Sequence, residues 1–262
     1  MHIDVGPDLH VVSLHYAVCS TDRVTYVSPP PVEFETEEVR FRLAEGNVTC
    51  DMKAHFPTAE AARAVVEPVL RAWEVDADLR RNQGELRFKF SRAEIMDRSP
   101  APPGVIRGRS NAILGEVASS AVGTVSVHVS RSHYPAPPSS FRLNPDTESI
   151  LLRYQGYLGG HEPLLSMAYF SLTVLEAKCG GRTPAAAAYR IEDAVLRKLG
   201  ELASRRGDRS SARKATARPV QPLTGPESAW LEVAVKTLIW RLGDTRKAKA
   251  LPLITMSDLP GL

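Results

Sequence analysis

The stretch "YPAPPSSFRLNPD", residues 134–146, marks the main change of character along this chain of 262 residues. It holds four prolines in 13 residues, and such a run favours a stiff, extended connection. Apolar residues alternate as in strands before it and recur with helical spacing after it. The sequence therefore predicts an α+β protein, with a strand-rich domain over residues 1–134, a Pro-rich linker over 135–145 and a helical bundle over 146–262.

Four segments of the N-terminal part alternate between apolar and polar residues, as antiparallel, half-buried strands do. The clearest is "EVRFRLAEGNVTCDMKAHF" (38–56), which predicts a hairpin that turns at Glu45-Gly46-Asn47. The other three segments are "HVVSLHYAV" (10–18), "ELRFKFSRAEI" (85–95) and "GTVSVHVSRSH" (123–133).

A single helix is predicted within this strand-rich part, over residues 58–79, with Thr58 as its N-cap. Its apolar residues recur every four positions and form one stripe, at Ala61, Val65, Val69 and Trp73. Pro68 has no backbone N–H and its ring clashes with the preceding turn, so we expect it to kink or split the helix.

About four helices are predicted after the linker. Asn144-Pro145 opens the first, and "EPLLSMAYFSLTVLEAKCGG" (162–181) forms a nearly uncharged second helix that ends at Gly180-Gly181. The third covers residues 183–206, with Thr183 as its cap. The fourth begins with a capping box, Thr224 to Glu227, and is apolar around most of its circumference. The outer face of the third helix predicts two ion pairs, Asp193–Arg197 and Glu201–Arg205.

Charge and composition limit the classes of function. Residues 1–144 carry 16 Lys and Arg against 18 Asp and Glu, whereas residues 145–262 carry 17 against 12. The basic character of the C-terminal part favours a polyanionic partner there. The excess of Arg over Lys indicates a bacterial source with a GC-rich genome.

The cysteines and the apolar segments indicate a cytoplasmic protein. The three cysteines, Cys19, Cys50 and Cys179, form no CxxC pair and are expected to be reduced. No signal peptide is evident, and the least charged segment, residues 163–175, is too short for a membrane span. We therefore expect no membrane association.

No motif for a cofactor, a metal or a nucleophile stands out. The seven histidines include no pair at helical ligand spacing, and the chain has no GxSxG elbow and no GxxxxGK[ST] loop. Cys179 is predicted at a helix C-terminus, where the helix dipole disfavours a thiolate. The sequence therefore predicts neither a cofactor nor a metal site.

The most biased stretch is "SRRGDRSSARKATARPV", residues 204–220, which joins the last two predicted helices. Its six cations are candidate polyanion-binding residues: Arg205, Arg206, Arg209, Arg213, Lys214 and Arg218. The alternative is a solvated loop, because charge runs usually face water and no aromatic residue is interleaved for base stacking.

The layout of the helical part, with its apolar second helix "MAYFSLTVLEA" (167–177) after a strand-rich region, resembles the HEPN superfamily of prokaryotic helical domains. The resemblance implies a toxin–antitoxin or anti-phage setting and, for active members, RNA cleavage through an Arg-x4–6-His motif. In this chain seven residues separate Arg153 from His161, so that motif is absent and the resemblance transfers no catalytic residue.

Two functions follow as hypotheses. The first is a non-catalytic bacterial binding or interaction protein whose C-terminal domain contacts nucleic acid or a protein partner. The alternative is a divergent HEPN-like nuclease that acts on RNA or single-stranded nucleic acid. Arg153, Tyr157 and His161 are its candidate site, because such a reaction needs a base and a cation near a phosphate. The competing interpretation is that His161 only begins the next helix.

Overall fold

The computed structural model describes residues 8–20, 24–81, 83–99, 110–112, 129–207 and 221–262. The chain divides into two compact units, Met1–Ser139 and Ser140–Leu262, called here the N-terminal unit and the helical unit. Strands dominate the first and helices the second, which confirms the α+β prediction.

The N-terminal unit contains a six-stranded antiparallel sheet with the order β3-β4-β5-β1-β6-β7. A second, parallel pair joins β2 to β8. The strands are β1 (Leu9–Cys19), β2 (Val24–Tyr26), β3 (Val32–Glu35), β4 (Val39–Ala44), β5 (Asn47–Met52), β6 (Arg87–Asp97), β7 (Ser110–Ala112) and β8 (Val129–Arg131).

The predicted hairpin is confirmed as β4 and β5. Glu45 and Gly46, the two residues of the turn, both adopt positive φ, 51° and 74°. A two-residue turn with two left-handed residues matches the twist of the strands it joins. Of the segment predicted as a strand over 123–133, the structure describes a strand only at Val129–Arg131, and residues 123–128 lie outside the described residues.

Helix α1 (Ala59–Arg80) covers one face of the sheet. Thr58 is its N-cap, as predicted, and its hydroxyl accepts from the Ala61 N–H at 3.2 Å. Pro68 does not split the helix, because one helix continues through it. Because Pro68 has no N–H, the Ala64 carbonyl lacks its usual donor in the helix. Ala64 and Pro68 are both exposed, so water can donate to that carbonyl instead.

In its described residues the helical unit contains five helices, where the sequence predicts about four. They are α2 (Pro145–Leu158), α3 (Leu164–Cys179), α4 (Arg182–Tyr189), α5 (Asp193–Arg205) and α6 (Gly225–Gly243), followed by short 3-10 turns at Ala248–Ala250 and Met256–Asp258. The predicted caps at Asn144 and Thr224 are confirmed, and Gly180 ends α3 with a positive φ of 78°.

The predicted third helix is the part that the structure corrects. Arg190, with a φ of 52°, separates α4 from α5, and Gly181 rather than Thr183 caps α4. The break is held by a distant segment, because the Ile254 N–H donates to the Arg190 carbonyl at 2.9 Å. On α5, Asp193 pairs with Arg197 as predicted, but Glu201 pairs with Lys198 instead of Arg205.

Helix α6 contacts α2, α3 and α5, and its apolar residues are buried as the sequence predicts. Its C-terminal end is bound by the first residues of the unit. The Asn144 side chain donates to the Leu242 carbonyl at 2.9 Å, and the Arg142 N–H donates to the Gly243 carbonyl at 2.8 Å. Gly243 has no room for a side chain, since an added Cβ would lie 2.2 Å from the Phe141 ring.

Candidate functional sites

Arg153 of the candidate nuclease site lies on α2 and is held by an acid and an aromatic ring. Its Nη1 donates to Glu162 Oε1 at 2.8 Å, and its guanidinium carbon lies 3.9 Å from the centre of the Phe170 ring. A guanidinium placed between a carboxylate and a π face is already stabilised by both. This cation is therefore neutralised by its own chain.

Tyr157 lies one turn further along α2 and also contacts an acid. Its hydroxyl donates to Glu232 Oε1 of α6. Burial, and then the hydrogen bond and the charge of Glu232, raise the pKa of Tyr157 above its usual value. The phenol therefore stays protonated and serves as a donor to a carboxylate.

His161 follows the end of α2 and is exposed. Its backbone N–H donates to the Gly156 carbonyl at 2.8 Å, which continues the turn that ends the helix. Among the residues that the structure describes, no hydrogen bond joins His161, Tyr157 and Arg153 to one another. The three share one end of α2, where Glu162 and Glu232 supply negative charge.

Two of the six cations in the basic strip, Arg205 and Arg206, are described, and Arg209, Arg213, Lys214 and Arg218 lie outside the described residues. Arg205 is exposed at the end of α5. Arg206 donates from Nε and Nη2 to Glu227 Oε1, at 3.0 and 2.8 Å, and from Nη1 to Gln221. Arg206 therefore ties the end of α5 to the start of α6.

Glu227 is the acid of that connection and of the capping box of α6. The Thr224 N–H donates to it at 2.9 Å. This backbone bond first, and the Arg206 guanidinium and Thr224 hydroxyl after it, lower the pKa of Glu227. The arrangement explains why Arg206 is turned towards its own chain.

Several other cations of the helical unit have no acid partner in the part of the chain that the structure describes. Within the described ranges, no carboxylate lies within 4 Å of their charged nitrogens. They are Arg142, Arg190, Arg205, Lys236, Arg241, Lys247 and Lys249. Lys247 and Lys249 are not among the candidates predicted from the sequence. The signal that identifies them is the run "TRKAK", residues 245–249, directly after the last helix.

Arg241 differs from the other cations in that list because it is buried. It lies in the last turn of α6 with 2% of its surface exposed. Its Nη2 donates to the Pro252 carbonyl at 3.0 Å, whereas its Nε and Nη1 have no hydrogen-bond partner among the described residues. Burial lowers the pKa of Arg241; Asp244 opposes this, and the charges of Arg246 and Arg190 add to it.

The N-terminal unit brings Ser13, His15 and Glu94 together, a set of residue types that hydrolases use. However, the Ser13 hydroxyl at 3.0 Å and Glu94 Oε1 at 3.2 Å both lie against the same ring nitrogen, His15 Nε2. A proton relay needs the serine and the acid on opposite nitrogens of the ring. This arrangement therefore does not activate the serine.

Histidines also meet at the start of β1, where the rings of His10 and His55 stack with centroids 5.3 Å apart. His55 Nε2 lies 3.7 Å from Asp8 Oδ1. In the part of the chain that the structure covers, no three His, Cys, Asp or Glu side chains are grouped so that they could hold a metal ion.

No protein-family model, curated protein or solved structure matches the chain. Among the described residues, no helix has both the length and the apolar character needed to cross a membrane. The fold and the charges define a two-unit α+β protein whose helical unit carries an excess of cations.

Proposed function

We propose that the protein is a non-catalytic binding protein and that its helical unit binds the phosphate backbone of a nucleic acid. The supporting observation is the set of cations on that unit without a carboxylate partner among the described residues. Arg142, Arg190, Arg205, Lys247 and Lys249 are all exposed. Exposed cations that no acid neutralises raise the local positive potential, which attracts phosphates and releases their condensed counterions.

The basic strip over 204–220 belongs to this proposal with one change. Arg206 is engaged by Glu227, so Arg205 is its described candidate. Arg209, Arg213, Lys214 and Arg218 stay candidates from the sequence. The solvated loop remains the competing interpretation for that stretch.

The nuclease alternative has less support from the geometry. Arg153 is paired with Glu162, and Tyr157 donates to Glu232, so a phosphate that approached these residues would meet two carboxylates. Like charges at short range repel by several kcal/mol where water is partly excluded. Labelled RNA incubated with wild type and with His161→Ala tests the alternative, and RNA loss that depends on His161 would revive it.

The likeness of the helical unit to HEPN domains stays a prediction, and so does a bacterial origin with a role in toxin-type or anti-phage defence. The helix layout predicted from the sequence is the basis of the likeness, and composition is the basis of the bacterial origin. The defence role follows from the likeness alone. A polyanion-binding protein is compatible with such a setting but does not require it. Genes for a nuclease or a toxin next to this one would favour the defence role.

Salt dependence of binding tests the proposed function. Fluorescence anisotropy with a labelled single-stranded RNA of mixed sequence gives Kd over a range of salt concentrations. We expect log Kd to rise linearly with log salt. Lys247→Ser with Lys249→Ser should weaken binding and reduce that slope by about 1.4, since each phosphate contact on a single strand contributes about 0.7.

A matched control removes the same charge from cations that do have partners. Arg197 and Lys198 pair with Asp193 and Glu201 on α5. Arg197→Ser with Lys198→Ser should change the slope less than the first double variant does. Equal effects of the two double variants, or no binding by wild type at low salt, would refute the proposal. The strip is tested separately by the triple change Arg209→Ser, Arg213→Ser and Lys214→Ser.

A further inference from the structure

The buried guanidinium of Arg241 is the least satisfied charged group among the described residues of the helical unit. It has 2% of its surface exposed, and its Nε and Nη1 make no hydrogen bond within the described ranges of the chain. One carbonyl, that of Pro252, accepts from the remaining nitrogen. Proteins avoid a buried cation with unmet donors because neither water nor an acid compensates for the loss of hydration.

The groups that could neutralise Arg241 are already engaged. Asp244 is the nearest acid in sequence, but Arg246 donates to its Oδ1 from Nε at 3.0 Å and to its Oδ2 from Nη2 at 2.5 Å. The carbonyls of Leu242 and Gly243, at the negative end of α6, accept from Asn144 and Arg142. The helix end thus leaves Arg241 without a counter-charge in contact.

Other cations gather at the same place. The Pro252 carbonyl accepts from Arg241, and two residues later the Ile254 N–H donates to the Arg190 carbonyl. Arg190 is exposed, and Arg246 and Lys247 are exposed at the start of the segment that leads to Pro252. The charge of Asp244 favours the Arg241 cation, whereas the charges of Arg246 and Arg190 oppose it. Glu192 also lies beside this segment, where its Oε2 accepts from the Met256 N–H at 3.0 Å.

We propose that Arg241 is the base of a binding site for a phosphate group, with Arg190 and Lys247 as its exposed cations. A phosphate group supplies what the site lacks, namely up to two negative charges and several acceptor oxygens for guanidinium N–H groups. Displacement of the Pro252 carbonyl from Nη2 gives access to the guanidinium. Pro252 and Leu253 are exposed, whereas Leu251 and Ile254 on either side are buried, so the movement has to be confined to these two exposed residues.

Free phosphate and the phosphates of a bound strand share this chemistry. If the ligand is a strand, the inference rests on the polyanion function proposed above; if it is free phosphate, the site stands without that function. Inorganic phosphate and single-stranded RNA are therefore separate arms of the test.

The first arm is thermal unfolding of the full chain with inorganic phosphate from 0.1 to about 10 mM at constant ionic strength, which is too dilute for general salting-out effects. Wild type should show a saturable rise in Tm, of about 2–4 °C when phosphate exceeds its Kd several-fold. Arg241→Met should lose that rise and should not unfold earlier than wild type in phosphate-free buffer, because it removes a buried, unpaired charge.

Controls keep the result decisive if Arg241→Met does not fold. Arg190→Ser with Lys247→Ser changes exposed residues and should raise the phosphate Kd at least several-fold, whereas Arg205→Ser, at the end of α5, should leave it unchanged. A wild type without a saturable shift, or a phosphate response that Arg241→Met retains in full, overturns the site.

The RNA arm separates the two proposals. If phosphate stabilises wild type through Arg241 and RNA does not bind, the phosphate site stands and the nucleic-acid function fails. If RNA binds equally to wild type and Arg241→Met, and phosphate gives no Arg241-dependent shift, the nucleic-acid function stands and the site fails.

Discussion

The two units differ in how many of their cations are paired with acids. In the N-terminal unit every described Lys and Arg except Lys89 and Arg98 lies within 4 Å of a carboxylate. In the described part of the helical unit, seven cations have no such partner, and one of them, Arg241, is buried. The first unit pairs most of its described cations with its own acids, whereas the second leaves cations that, in the function proposed above, contact phosphate.

The end of α1 shows how the N-terminal unit uses its charges. Glu85, with no surface exposed, lies 2.9 Å from Arg81 and 3.2 Å from Arg131 of β8. Asp78 accepts from Arg87 through both oxygens and from the Gly84 N–H at 2.8 Å. These acids join the helix to β6 and β8, so each buried charge there has a partner and a structural role.

The largest expected effect comes from breaking this network. Glu85→Ala should lower the free energy of unfolding of the N-terminal unit by about 3 kcal/mol, since it leaves two arginines facing a buried site without an acid. A urea titration followed by two-dimensional NMR reports on the two units separately. The midpoint of the N-terminal unit should fall while that of the helical unit stays in place.

The control for Glu85→Ala is Glu67→Ala, which removes an acid from a pair that is largely solvated. Glu67 lies 2.6 Å from Arg63 on α1, and its side chain is 45% exposed. Exposed pairs of this kind contribute less than about 1 kcal/mol. If Glu67→Ala and Glu85→Ala lower the free energy of unfolding by similar amounts, burial does not determine how much these ion pairs contribute to stability.

A smaller change in the free energy of unfolding is expected as the pH falls, and it should occur in the N-terminal unit and not in the helical unit. Burial first, and then the charges of Arg98 and His55, lower the pKa of His10 from 6.5, with Asp8 opposing them. As the pH falls, the unfolded chain therefore binds this proton before the folded one does. Neutral His10 therefore contributes to the stability of the folded state above about pH 6.5. This contribution is lost as the pH falls through 6.5 towards the lower pKa that His10 has in the folded state.

Urea midpoints between pH 7.5 and 5.5 test this dependence. The midpoint of the N-terminal unit should fall over this range, and His10→Gln should flatten the fall, whereas the change His133→Gln at an exposed histidine should not. In the helical unit the pKa values of Glu227 and Asp244 are lowered, so these acids add no dependence above about pH 5. If the urea midpoint of the N-terminal unit still falls with pH in His10→Gln, another titrating group is responsible for the pH dependence.

The sequence predicted the features of the fold that depend on local patterns. The hairpin at Glu45-Gly46 and the caps at Thr58, Asn144 and Thr224 follow from turn and capping chemistry within a few residues. The break at Arg190 could not be predicted in this way, because residues 183–206 are compatible with one helix. The hydrogen bonds that fix it come from Ile254, more than sixty residues away.

The candidate sites show the same limit more strongly. The sequence identified Arg153, Tyr157 and His161 by residue type, but the acids that engage two of them, Glu162 and Glu232, are brought there by the fold. Arg241 looks like an ordinary cation at the end of a helix, where the dipole favours it. Its burial and its unmet N–H groups depend on the packing of the segment around Pro252, which no spacing rule reveals.

The difference between the two units is tested most directly by ligand-dependent stability in wild type. Urea titrations followed by NMR, with and without a short single-stranded RNA at about ten times its Kd, give both midpoints from the same samples. We predict that RNA raises the midpoint of the helical unit by an amount equivalent to about 1.4 kcal/mol and leaves the N-terminal unit unchanged. Stabilisation of the N-terminal unit alone, or of neither unit, would contradict the account.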